Sequence, residues 1–436
     1  MPTKEAPAAE ADPRSAEPFL PPMHKIGDIA APTAPQDIAE SGVHESVLAD
    51  LVVKLAYSVA RFTAEWVANE LHLSYALTSQ LIERLCIDGL LETLVGNRYA
   101  ITDRGRDQAV RMLEVCGYVG PAPVRLEAYS AMLRWQFANT ARVTPEHVAA
   151  ALSGLVLTQE AAKLAGLAVS SGRSLFIHGP PGNGKSSLGR QIHGALAGDY
   201  WIPYTISVGS SVIRLFDEQT HQVADLGQQR MGNVDRRWVR IRRPFVVIGG
   251  ELTLEMLDLI YSPTLRYYEA APHLKANGGV FLVDDFGRER VSPEQLLNRF
   301  ITPMEHQIDY FTLETGQKIQ VPLRHVLVIA TNLDPASVTD PAFLRRIGYR
   351  LLLGAPTAEQ YARIFRRYAR KQGVEIAPEM VQQILDRYKS EGRELRACEP
   401  RDLIERARDI CTFESKPFDL SPETLELAWT GYFGRR

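Results

Sequence analysis

Apolar positions along this chain change their spacing several times, and each change marks an element. Residues 1–43 are rich in Pro, Ala and Glu and show no sustained period. Such a stretch cannot bury enough apolar surface to offset its ordering entropy, so it is expected to be a disordered tail. From 44 to 118 the pattern turns helical. Val47, Leu48, Leu51, Val52, Leu55 and Val59 recur at helical steps over 46–60. Thr63 is placed to cap a second helix reaching residue 71, and Leu77, Leu81, Leu85 and Leu90 carry a third over 76–90. Leu91-Glu92-Thr93-Leu94 and Arg98-Tyr99-Ala100-Ile101, split by Val95-Gly96-Asn97, read as a hairpin. Thr102 then caps a helix over 103–115. Residues 119–150 read as a helical linker, with Thr144 and Pro145 opening one of its helices. Across 151–355 strand and helix patterns alternate, which predicts a parallel sheet with helices on both faces. Residues 356–436 carry helical patterns alone, over 358–372, 378–390, 400–413 and 422–429. The fold class expected is therefore α/β with a C-terminal helical lid, preceded by a small α+β domain.

Within the alternating region, Ile177-His178-Gly179-Pro180-Pro181-Gly182-Asn183-Gly184-Lys185-Ser186-Ser187 satisfies the phosphate-loop pattern without a mismatch. An apolar run, 174–177, precedes it, and a helical pattern over 186–197 follows. Glycines let the backbone approach an anion closely, and successive N–H groups then form a positive nest at a helix N-terminus. Lys185 supplies a point charge for the outer phosphates, and Ser186 a hydroxyl for Mg²⁺. The candidate cofactor-binding set is Gly179, Pro180, Pro181, Gly182, Asn183, Gly184, Lys185, Ser186 and Ser187. Downstream, Gly279-Val280-Phe281-Leu282-Val283-Asp284-Asp285 is an apolar strand delivering two carboxylates at its C-terminal end. His325-Val326-Leu327-Val328-Ile329-Ala330-Thr331-Asn332 is a second such strand, ending in an amide. Asp340-Pro341-Ala342-Phe343-Leu344-Arg345-Arg346 sets two arginines at the end of a short helix.

These motifs, in this order over about 150–430, resemble those of the AAA+ ATPase superfamily. The resemblance implies ATP and Mg²⁺ as cofactors and ATP hydrolysis as the reaction. It assigns 179–186 to Walker A and 280–285 to Walker B. Asn332 matches sensor 1, Arg345 or Arg346 the arginine finger, and Arg401, in the opening turn of a lid helix, sensor 2. By the same resemblance Ser186 and Asp284 hold Mg²⁺, Asp285 orients the attacking water with help from Asn332, and the finger acts on a neighbouring subunit. A homo-oligomer follows, six-membered by family likeness. One departure stands out: most relatives end Walker B in Asp-Glu, and Asp285 is one methylene shorter. Slow hydrolysis, or service by another acid, is the expectation.

The 44–118 region resembles a winged helix, with 76–90 in the recognition-helix place. Ser74, Tyr75, Thr78, Ser79, Gln80 and Arg84 are candidates to reach DNA. Glu83 and Asp88 on the same surface weaken the basic footprint of a DNA reader, which tilts the reading toward docking of a protein partner. An arginine-rich stretch, 236–244, contains alternation over 238–242 that predicts a strand. Its arginines either contact nucleic-acid backbone beside Trp238 in a central channel or, as favoured, pair with Asp217, Glu218 and acids on neighbouring subunits.

Composition narrows the field without naming a substrate. The net charge of −3 gives no global attraction to nucleic acid, and no apolar run is long enough to span a membrane. Cys86, Cys116, Cys398 and Cys411 form no metal-ligand spacing and read as reduced thiols, consistent with a cytoplasmic chain. Three functions are weighed: an ATPase that remodels a protein partner, for which the MoxR-like chaperone ATPases are the nearest analogy; a DNA-directed ATPase such as a loader or transposition helper; and an ATP-gated switch with little turnover.

Overall fold

Five short apolar runs pair side by side in the order Phe245–Ile248, Val280–Phe286, Val326–Thr331, Leu175–His178 and Tyr349–Leu352, all parallel. The computed structural model that shows this describes residues 19–225, 233–335 and 341–434. Strand side chains alternate between faces, and both faces are covered. Leu175, Ile177, Val280, Leu282, Val326 and Val328 point to one side and pack with Ala161, Ala165 and Leu188 of the helices Gln159–Ser171 and Lys185–Ile192. Phe176, Phe281, Val283, Leu327 and Ile329 point to the other and meet Leu296, Leu297 and Phe300 of Pro293–His306. This is the helix-covered parallel sheet that the alternating pattern required.

A second, β-rich layer is inserted into that core. Ile260–Ser262, Tyr267–Glu269, Ser211–Arg214, Thr205–Val208 and Val124–Arg125 form one sheet. The strand Trp238–Arg242 pairs antiparallel with Asp199–Pro203, and Ile308–Thr312 with Lys318–Pro322. Tyr129, Tyr200, Trp201, Ile206, Trp238, Ile241 and Phe311 share its core. One sequence expectation changes here, and a second holds with different partners. Residues 119–150 are no linker: Val124–Arg125 joins this sheet, and the helix Leu126–Asn139 buries Tyr129, Met132 and Leu133 in the same core. The arginine-rich strand is structural. Trp238 is buried, Arg237 is buried on Asp235, and Arg240 pairs with Asp199 at 2.9 Å. The expected partner Asp217 binds Lys275 instead, at 2.7 Å.

The N-terminal region is also tied down. Residues 1–18 lie outside the described residues, but the expected disorder of 19–43 is not what the structure shows. Met23–Ile26 and Ile29–Pro32 form a hairpin, Ile38–Ser41 a helical turn, and Ala31 is fully buried in the β-rich core. Arg237 donates to Ser41 O at 2.9 Å, so one buried guanidinium fastens this segment. Next come helices Glu45–Tyr57, Ala64–Glu70 and Tyr75–Ile87, the hairpin Leu91–Leu94 with Arg98–Ile101, and the helix Asp103–Val115. Thr63 and Thr102 cap their helices through the side chain. Leu48, Leu51, Val67, Leu77, Leu81 and Ile101 form their own core.

The chain closes with helices Ala358–Lys371, Pro378–Ser390, Glu399–Phe413 and Pro422–Phe433 around Tyr361, Phe365, Tyr388, Leu403 and Trp429. A capping box at Thr357 and Gln360 starts the first of them. Among the described residues no helix is long and apolar enough to cross a membrane.

Candidate nucleotide site

The strand Leu175–His178 sits between Val326–Thr331 and Tyr349–Leu352, and the chain leaves its C-terminal end through the glycine-rich loop. Ligands of open α/β sheets bind in the crevice outside such strand ends. Two glycines show why the loop is built as it is. Gly179 has φ +137°, and a Cβ there would lie 2.3 Å from Leu353 O, so backbone crowding excludes any side chain. Gly184 has φ +88° in open space and forms the N-cap of Lys185–Ile192, so there the left-handed backbone alone demands glycine. The helix is shorter than the sequence suggests, ending at Ile192 and followed by a 3₁₀ turn, His193–Ala195.

Four polar side chains converge on this loop. Lys185, buried in its stem, points its ammonium at Gly179 O and Pro180 O, both at 2.8 Å, and at Asn332 Oδ1 at 2.6 Å. Burial depresses its basicity, while Asp285 and Asp284 work in the opposite sense. Ser186 Oγ donates to Asp284 Oδ1 at 2.7 Å. A hydroxyl and a carboxylate oxygen this close can share one face of a small octahedral cation, with phosphate oxygens and water completing the shell, so these residues fit Mg²⁺. Asn183 is buried with its Oδ1 accepting from Ala397 N, whereas Pro181 and Ser187 are exposed.

The two acids of the strand Val280–Phe286 differ in setting. The ladder to Val326–Thr331 shifts register between Val283 and Phe286, and Thr331 Oγ1 pins the far side by donating to Phe286 O at 2.6 Å. This bulge turns Asp285 to φ +54° and leaves its side chain exposed, while Asp284 points at Ser186. Glu289, which sequence reading passed over, lies just beyond. Its Oε2 accepts from Gly287 N at 2.7 Å, and its Oε1 is buried with no hydrogen-bond partner among the described residues. Burial raises its pKa, and the negative charge of Asp285 adds to the effect. No spacing rule flags it, because only the bulge and the tight turn at Gly287 bring it back to the strand end.

The remaining candidates lie elsewhere. Arg345 and Arg346 follow the helix Pro341–Leu344; Asp340 lies outside the described residues. Arg345 is exposed, and Arg346 pairs with Glu305 of the same chain at 2.6 Å. Both line a cleft with Arg173 and Ser174, at the opposite end of the Leu175–His178 strand from the phosphate loop. Arg401, in the first turn of Glu399–Phe413, is exposed and donates to Asp402 Oδ1 at 3.0 Å. The lid arginine against the loop is Arg396. Its Cδ is 3.5 Å from where a Cβ on Gly182 would be, and Cys398 N donates to Gly182 O at 2.8 Å. The lid is thus fastened to the phosphate loop through 396–398.

Comparison with known proteins bears on two parts of the chain. A family described as "Domain of unknown function (DUF8689)" matches residues 357–431, the lid. No curated protein matches. Among solved structures, the RuvB Holliday junction branch migration motor of Thermotoga maritima is 19% identical over 66% of this chain and 70% of that chain, with a TM-score of 0.34. NtrX of Brucella abortus in complex with ATP is 13% identical over 76% of this chain and 66% of that one, at 0.36. NtrX of the same organism in a further structure gives 14%, 76%, 63% and 0.39. Strand order, phosphate loop, and the meeting of Lys185, Ser186, Asp284 and Asn332 at one sheet edge are the arrangement that the resemblance to the AAA+ ATPase superfamily implies.

Proposed function

We propose that this chain hydrolyses ATP and couples the cycle to remodelling of a protein partner, acting as a ring-forming homo-oligomer. The single observation that supports the reading best is the contact of Lys185 with Asn332 at 2.6 Å beside that of Ser186 with Asp284 at 2.7 Å. In this arrangement the loop amides and Lys185 bind the phosphates. Ser186 and Asp284 would hold Mg²⁺, whose charge neutralises the β- and γ-oxygens when bound. Asn332 orients the attacking water, and Asp285 or Glu289 accepts its proton. Glu289 is the better shielded of the two, and its burial raises its pKa, which strengthens it as a proton acceptor. Arg345, exposed and remote from its own loop, is the arginine suited to a neighbour's nucleotide; Arg346 is engaged by Glu305. Arg396 joins Arg401 as a lid residue that senses the phosphates.

Docking of a protein is favoured over DNA reading by the N-terminal helices, which resemble a winged helix. Thr78 is fully buried, Ser74 caps its helix while donating to Pro35 O, and Arg84 is paired with Glu45. What Tyr75–Ile87 leaves outward includes Tyr75 and Ile87, apolar groups suited to protein contact. Steady-state phosphate release with Mg²⁺ and ATP tests the ATPase reading, and absence of turnover with retained ATP binding would make the chain a nucleotide-gated switch. Co-purification with an Asp285→Asn chain tests the partner, and a salt-dependent gel shift with duplex DNA would reverse the choice between protein and DNA.

A further inference from the structure

A cavity of about 720 Å³ opens on the side of the sheet opposite the phosphate loop. Gly172, Gly279, Val326 and Tyr349, all at or just before the N-terminal ends of sheet strands, form its floor. Phe137 and Tyr200 of the β-rich layer form its roof. Ligand sites favour such seams between structural units, and the volume is within the range of small-molecule pockets.

The charge of the lining is one-sided. Arg142, Arg243 and Arg324 face the space, and no Asp or Glu lines it among the described residues. Arg243 lies over the Tyr200 ring at 3.9 Å and donates to the backbone carbonyls Ala197 O and Gly278 O. The nearby acid Asp199 is held by Arg240 at 2.9 Å. Arg324 stacks over Phe137 at 5.0 Å, and its buried Nε has no hydrogen-bond partner among the described residues. Burial and the neighbouring Arg134 both disfavour its charge. A guanidinium that is partly desolvated beside like charges is costly to keep, and a bound oxyanion would offset that cost. The planar fork of arginine suits phosphate and carboxylate oxygens alike.

We propose that this cavity is a second ligand site, for a small multivalent oxyanion, either a phosphate ester or a polycarboxylate, bound by Arg324, Arg243 and Arg142. Leu323 and Arg324 connect the Lys318–Pro322 strand to Val326–Thr331, which ends beside Asn332. A ligand here therefore clamps the β-rich layer to the strand that carries the catalytic amide.

Titration calorimetry on the full chain tests this with two probes, fructose 1,6-bisphosphate for phosphate esters and citrate for polycarboxylates. At least one is expected to bind with one-site saturation, and which one does so distinguishes the two ligand sources. Arg324→Gln weakens that binding at least tenfold, whereas Lys185→Ala leaves it within twofold. If Arg324→Gln proves unfolded by circular dichroism, Arg142→Gln, on an exposed side chain at the cavity mouth, is expected to weaken it at least threefold. The proposal is overturned if neither probe binds, if Lys185→Ala abolishes binding, or if folded Arg324→Gln and Arg142→Gln chains both bind like the wild type.

Discussion

Lys185 spends its donors on two loop carbonyls and Asn332, so a triphosphate must compete with oxygens already in place. Removing the ammonium takes away the cation that the loop itself supplies to the outer phosphates. Lys185→Ala should lower phosphate release by about 10²-fold or more, read as steady-state turnover at saturating ATP. The choice between Asp285 and Glu289 is also made by single side chains. If Glu289 accepts the proton, Glu289→Gln lowers kcat by about 10²-fold with little change in KM. Because burial raises the Glu289 pKa, the acid limb of the wild-type rate profile should lie above the usual carboxylate range. A Glu289→Gln chain with full kcat would return the role to Asp285.

Between elements, a few buried polar groups do the joining. Arg237 reaches Asp235, Ser41 O and Pro123 O, linking three stretches far apart in sequence. Truncating Asp235 leaves that guanidinium buried with only carbonyls. Asp235→Ala should therefore destabilise the chain by about 3–5 kcal/mol in urea unfolding. A second cluster lies beneath the strand Val326–Thr331. His273 Nε2 contacts Asp309 at 2.7 Å, Arg299 grips the same carboxylate, and His325 packs edge-on against His273 and Phe281. Burial, and then His273, push the His325 pKa down to about 3 from 6.5. The folded chain thus refuses a proton that the unfolded chain accepts below pH 6.5. Stability is full above that value and declines as pH falls from 6.5 toward 3. His273, lowered mainly by its own burial, contributes in the same direction despite Asp309. His325→Phe should flatten this decline, measured as urea midpoints between pH 7 and pH 4.5.

For the whole molecule the decisive question is where the guanidinium for each γ-phosphate comes from. Arg345 lies toward the far end of the sheet from its own loop, and so suits an adjoining copy. Chains carrying Arg345→Ala and Lys185→Ala should each be inactive, yet an equimolar mixture should regain turnover at interfaces that pair an intact loop with an intact arginine. A trans arginine is worth roughly 10³ to 10⁵ in rate, so even a few hybrid interfaces would register in a phosphate-release assay. No recovery on mixing would rule out a shared site.

The phosphate loop, the strands around it and the lid helices could be read directly from the sequence. Their signals are local: glycines where the backbone must turn left-handed, apolar runs where both sheet faces are covered, and caps that satisfy helix N–H groups within one turn. Residues 19–43 and 119–150 could not be read that way. Their short strands and the helix Leu126–Asn139 pack against Trp201, Trp238 and Ile206, which stand far along the chain. The arginines of 236–243 pair with acids as favoured, but with Asp199 and Asp235 rather than Asp217, since a charge pattern does not say which acid lies opposite. Sequence determined where the candidate phosphate site lies, because its pattern is written in one contiguous loop. Only the tertiary structure decided that Glu289 returns to the strand end, that Arg396 meets Gly182, and that three arginines share a cavity with no acid among its described lining residues, because each depends on backbone turns and packing between distant segments.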